Sequence, residues 1–186
     1  MLYFEWGNKE GAISTEDLKK FLYRTFDELG IKKKVLAIPP DFTRFHSFAG
    51  KITELSWEYY SDSLEDILPA LGTHSPMTQE QIRTMFGKIP SDLFHAHNWR
   101  SDLYTLGVVP SEFIHEVSEG KLNYTWPAQV NKLLVEGNYD LILSIGQVVP
   151  HEVIGMANYN KNIFVGTGGA EGILGRTFLL FISILW

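Results

Sequence analysis

Apolar positions along the chain follow two alternating rhythms. From Ser14 onward, Leu18, Phe21, Leu22, Phe26 and Leu29 keep the three- and four-residue spacing of one helix face. Ser14 can accept an open amide at the start of that helix, Asp17 stands at its third position, and Gly30 supplies the stop. Val35–Ile38 is a short apolar run cut off by Pro39 and Pro40, the pattern of a buried strand that ends at a loop. The exchange then repeats. Phe48, Ile52, Leu55 and Tyr59 keep helical spacing, a connection from Ser63 to Leu71 leads into a strand that stops at Gly72, and Thr78 with Gln81 forms a capping box ahead of Ile82, Met85 and Phe86.

Elsewhere, Leu2–Trp6 reads as a short strand, and TLGVVP and SEFIHEVS read as strands or loop edges. Pro127 suits a first helical turn, with Val130, Leu133 and Leu134 as the inward face and Gly137 as the stop. Leu141–Ile145 and Ile163–Val165 complete the expected strands. Short apolar strands alternating with amphipathic helices predict an α/β fold, an open and mostly parallel sheet with helices on both faces.

Composition narrows the classes of function. Sixteen Lys and Arg against 22 Asp and Glu give a net charge of −6, and the longest basic block is Lys32–Lys34, which disfavours nucleic acid or an anionic membrane as partner. Cysteine is absent, so thiolate catalysis and sulfur-ligated metal are excluded. The N-terminus lacks a basic region followed by an apolar run, and no stretch approaches the ~18 apolar residues of a membrane span. A cytoplasmic protein is the expectation. Phe178–Trp186 is almost wholly apolar, which divides the chain into a domain over 1–170 and a divergent apolar tail over 171–186, a truncated or altered terminus through which copies could associate.

Three polar clusters, DFTR, GTHSPMT and GQVVPHE, each follow an expected strand. Loops beyond the carboxyl ends of parallel strands form the ligand crevice of such folds, so the three should converge. Arg44 could clamp a carboxylate or phosphate, with Asp41 orienting it or binding a ribose hydroxyl; the plainer reading of Asp41 is a local ion pair or a helix cap. His74 could exchange a proton, or merely bond to backbone. Pro150 places His151 near the rim, and the excursion after it returns at Lys161 before the next strand. Lys161 could bind an anion, serve as a covalent anchor, or lie on the surface. His95 and His97 form an HxH pair for which a zinc site is conceivable and a third ligand is missing. Gly166, Gly168 and Gly169 fit neither a Walker loop nor a dinucleotide fingerprint. Two histidines without a serine elbow suit two-sided proton transfer better than hydrolysis.

PPDFTR at 39–44, ALGTHSPMT at 70–78, HNW at 97–99 and GQVVPHEVIGMANYNK at 146–161 together resemble the N-terminal domain of the nickel-dependent lactate racemase family. The resemblance implies racemisation or epimerisation of a small 2-hydroxy acid through a nickel-pincer nucleotide attached covalently to a lysine, here Lys161. It implies His74 and His151 as catalytic bases, and Asp41, Thr43 and Arg44 in the site for the cofactor's nucleotide end. Hydride chemistry belongs to that cofactor and proton exchange to the histidines. Two departures stand out: GMANYN at 155–160 replaces a Gly-Phe-Ser-Gly-Gly-like stretch, and Thr177 stands where the family has a nickel-ligating histidine. The family's C-terminal domain is also missing. Two rival readings are a catalytically inactive nucleotide- or anion-binding fragment of the same fold, and a histidine-ligated metal hydrolase.

Overall fold

A computed structural model of the chain describes residues 2–151 and 155–174; the side chain of His151 lies outside the described part. Helix α1 spans Thr15–Leu29. Ser14 caps it by accepting the Asp17 amide at 3.1 Å, and Gly30 ends it at φ 73°. Strand β1, Val35–Ile38, is buried along its whole length. It is the middle strand of a parallel sheet, flanked by β2 (Leu64–Ile67) and β5 (Leu141–Ser144) in the order β2-β1-β5.

The unbroken apolar run of β1 is explained by burial on both faces. Val35 and Ala37 join Phe26, Tyr60, Ile82 and Phe86, from α1, α2 (Ala49–Tyr60) and α3 (Gln79–Phe86). Leu36 and Ile38 face the other way and pack with Leu68, Leu133 and Ile163, from the side of α5 (Leu133–Glu136) and α6 (Asn160–Phe164). Helices therefore cover both faces of an open parallel sheet. α3 carries the predicted capping box, Thr78 Oγ1 accepting from the Gln81 amide while the Gln81 side chain accepts from the Thr78 amide. α2 and α3 approach so closely that a Cβ on Gly50 would lie 2.1 Å from the Met85 carbonyl oxygen.

A second, two-stranded antiparallel sheet pairs β3 (Leu103–Val109) with β4 (Trp126–Asn131). A short antiparallel pair, β6 (Pro150–His151) and β7 (Gly155–Met156), closes the excursion after β5. Among the described residues no helix is long and apolar enough to cross a membrane.

Several expected elements differ. Residues 2–7 form no strand; Phe4 stacks on Phe21 at 4.4 Å instead. Phe48 is the positive-φ cap of α2 and is exposed, not inward-facing. SEFIHEVS forms helix α4 (Ser111–Val117). Pro127 lies in β4 opposite Val108, where an edge strand tolerates its missing N–H. Ile163–Val165 is not a strand: Ile163 and Phe164 belong to α6, and Val165 is its C-cap.

Candidate functional site

The polar clusters do meet at the carboxyl ends of β1, β2 and β5. Directly beyond β1, Asp41 caps a short 3-10 turn, Phe42–Ser47. One of its oxygens accepts from the Thr43 amide at 3.2 Å and from Thr43 Oγ1 at 2.5 Å. The other lies 2.6 Å from His74 Nδ1. A carboxylate only accepts, so Nδ1 carries the hydrogen, and in the neutral ring the lone pair is on Nε2. Asp41 is 6% exposed, whereas the His74 ring is largely open to solvent. The result is an imidazole oriented from behind by a buried carboxylate, with its basic nitrogen outward.

The helix-cap reading of Asp41 therefore holds, and the suggested orientation of Arg44 by Asp41 does not. Both Asp41 oxygens are engaged by Thr43 and His74, and Arg44 meets Asp41 through its backbone amide, at 3.0 Å from the Asp41 carbonyl. Arg44 instead borders a cleft with Pro40, Gly146, Gln147, Asn158 and Lys161. That cleft offers about 30 Å³, room for a single water, so a larger group would lie over it rather than in it.

Lys161 is the second residue of α6, not a residue ahead of a strand. Burial, then repulsion from Arg44, hold its amine below the ordinary 10.5, while Asp41 acts in the opposite direction. Two asparagines that the sequence reading passed over fix its position. Asn158 donates to the Gly146 carbonyl at 2.8 Å; Asn162 donates to the Ile145 carbonyl at 3.1 Å and to Asn158 Oδ1 at 2.8 Å. Asn158 and Tyr159 both adopt positive φ, turning the chain sharply into α6. The available signal was the two asparagines flanking the lysine, one in the turn ahead of α6 and one inside the helix, close enough in sequence for their side chains to bond.

The loop of His74 is anchored by the Gly72 amide, which donates to the Gly166 carbonyl at 2.8 Å. A Cβ on Gly166 would lie 2.4 Å from that of Ala70, so the close approach of these loops requires glycine. Asp41, Thr43, Arg44, His74 and Lys161 thus gather at one sheet edge. The backbone of His151 pairs with Gly155 in the adjacent β6–β7 ribbon, and its side chain is outside the described residues.

His95 and His97 have separate partners. His95 Nε2 lies 2.5 Å from Asp66, whose other oxygen accepts from the Tyr139 hydroxyl. His97 is buried: Nε2 donates to the Gly168 carbonyl at 2.9 Å and Nδ1 accepts from Asn131 Nδ2 at 3.0 Å. Burial holds its pKa below 6.5. Among the described residues no group of three or more histidines and carboxylates is placed to hold a metal.

The parallel sheet carries a lysine, an arginine and a carboxylate-oriented histidine at its carboxyl edge, the place where open α/β folds form their ligand crevice. Residues 23–183 match the family model described as the lactate racemase N-terminal domain, and the chain belongs to that family. The chain is similar to the crystal structure of a Thermotoga maritima protein from a structural genomics consortium, with 26% identity and a TM-score of 0.77 over 92% of this chain and 42% of that one. It shares its fold with the lactate racemase apoprotein from Thermoanaerobacterium thermosaccharolyticum, with 24% identity and a TM-score of 0.65 over 87% of this chain and 38% of that one. The chain spans less than half the length of either. No curated protein matches it.

Proposed function

We propose that this chain is the N-terminal part of a racemase or epimerase of a small, lactate-like 2-hydroxy acid, with the rest of the active site supplied by a further C-terminal domain. One observation carries the reading: a half-buried lysine with a depressed pKa shares a sheet edge with an imidazole whose basic nitrogen is held outward by a buried carboxylate.

The residues fit a nickel-pincer nucleotide in part. Lys161, more readily deprotonated than a surface lysine, suits covalent attachment, and Arg44 suits an anionic group beside it. Such a group, when bound, supplies the hydride acceptor that no side chain provides. Nickel ligation fits less well, because Thr177 replaces the expected histidine. His74 Nε2 takes the hydroxyl proton, and Asp41 stabilises the imidazolium that forms. His151 serves as the second base by family resemblance alone. Thr177 favours a second reading, a domain that retains the nucleotide site without turnover.

Intact mass spectrometry and nickel analysis of the chain produced beside cofactor-synthesis enzymes separate the two. The racemase reading expects a nickel-bearing adduct mapped to Lys161 and lost in Lys161→Ala. An unmodified lysine in that preparation removes the racemase reading and leaves the binding domain.

A further inference from the structure

His74 also borders a second chamber, of about 490 Å³, within the ~300–1,000 Å³ of small-molecule sites and far larger than the lysine cleft. Its wall is the loop His97–Asp102. We propose that this chamber binds a small carboxylic acid, with Arg100 as the carboxylate anchor; the role of His74 toward that acid rests on the function proposed above, and the anchor itself does not.

The loop is built to hold Arg100 still. The Arg100 amide donates to Asn98 Oδ1 at 3.0 Å, the Asp102 amide donates to the Asn98 carbonyl at 3.0 Å, and the Trp99 carbonyl accepts from the Ala170 amide at 3.2 Å. The guanidinium carbon lies 3.6 Å from the centroid of the Trp99 ring, a stacked arrangement. Stacking fixes the plane of the guanidinium without consuming its N–H donors, which leaves the fork available for a carboxylate.

The other charged or titratable groups lining the chamber are already engaged. Asp102, which would repel an acid, has Lys132 Nζ at 3.7 Å and accepts from Ser101 Oγ at 3.2 Å. His97 uses both ring nitrogens on Gly168 and Asn131. Among the described residues no carboxylate lies within ion-pair distance of Arg100, and none bonds to His74 Nε2. Of the charged or titratable groups, those left for a ligand are therefore the forked cation of Arg100 and Nε2 of His74. They suit the carboxylate and the hydroxyl hydrogen of a 2-hydroxy acid. The volume also admits side chains larger than the methyl group of lactate.

The test is an NMR titration of the unloaded chain with lactate and with lactamide, its neutral counterpart, following the Trp99 indole and His74 ring signals. Lactate should give saturable shifts at both, and lactamide none. Arg100→Gln should weaken lactate binding by about tenfold or more while the remaining spectrum stays native, as expected for an exposed side chain. Arg100→Lys should fall between, because it keeps charge and loses the fork. No saturable shift in the unaltered chain, or equal binding by Arg100→Gln, overturns the anchor; so does loss of binding on Arg44→Gln with Arg100→Gln unaffected. Failure here with a Lys161 adduct present leaves the racemase reading intact. Success with Lys161 unmodified places the anchor in a binding domain.

Discussion

His74 and His97 border the same chamber, yet they belong to opposite kinds of polar cluster. His97 is closed: it is 4% exposed, both nitrogens are bonded to protein groups, and Asn131 is itself fixed by accepting the Leu133 amide at 2.9 Å. His74 is half closed: Asp41 holds one nitrogen and the other faces outward. A ring satisfied on both sides stabilises the fold and has nothing left to offer a ligand. A ring satisfied on one side is oriented at little cost to stability and keeps a reactive atom, which also separates Lys161, clasped through its helix rather than through its amine, from an ordinary surface lysine.

The largest effect expected from that contrast is on stability. His97→Ala leaves the Gly168 carbonyl and the Asn131 amide buried without partners, each worth about 1–3 kcal/mol, so a loss of about 2–6 kcal/mol is expected in urea denaturation. His74→Ala removes an exposed ring and leaves Asp41 its two bonds from Thr43; its loss should stay within about 1 kcal/mol. Equal losses would break the distinction between closed and open clusters.

A smaller effect concerns pH. Burial lowers the pKa of folded His97 below 6.5, so in acid the unfolded chain binds this proton before the folded chain does. The contribution of neutral His97 is complete above about pH 6.5 and is lost as pH falls from there toward the folded value. The urea midpoint should therefore decline between about pH 6.5 and 5, above the range where most carboxylates titrate. His97→Gln should flatten that decline, and an unchanged slope would show that His97 is not its source.

The same contrast explains what could be read from the sequence. Signals confined to neighbouring residues were legible: Ser14 with Asp17, Thr78 with Gln81, and the apolar run of β1 all reappear as expected. Pro127 misled because a proline suits both a first helical turn and an edge strand, and pairing with β3, remote in sequence, decides between them. Ile163–Val165 misled because a short apolar run has no period of its own. For the site, the loops could be placed from their position after strands. The partner of Asp41 could not, since His74 is 33 residues away. Arg100 escaped notice because its significance lies in the stack on Trp99 and the chamber beside it, neither of which is a spacing in the sequence.

The smallest expected effect tests the open cluster on its lysine side. Arg44 lowers the pKa of Lys161 and Asp41 raises it, so substituting the two should move the amine in opposite directions. Below pH 10.5, Arg44→Gln removes a repulsion, leaves more of the amine protonated and should slow its acylation. Asp41→Asn removes an attraction and should speed it. Changes of a few-fold are expected, measured by mass spectrometry on the Lys161 peptide after brief treatment with acetic anhydride, with the exposed Lys20 as internal reference. Opposite signs matter more than size. A change in access alone has no reason to follow the sign of the charge removed, so rates that shift together would mean that Lys161 reports the openness of its cleft and not the charges around it.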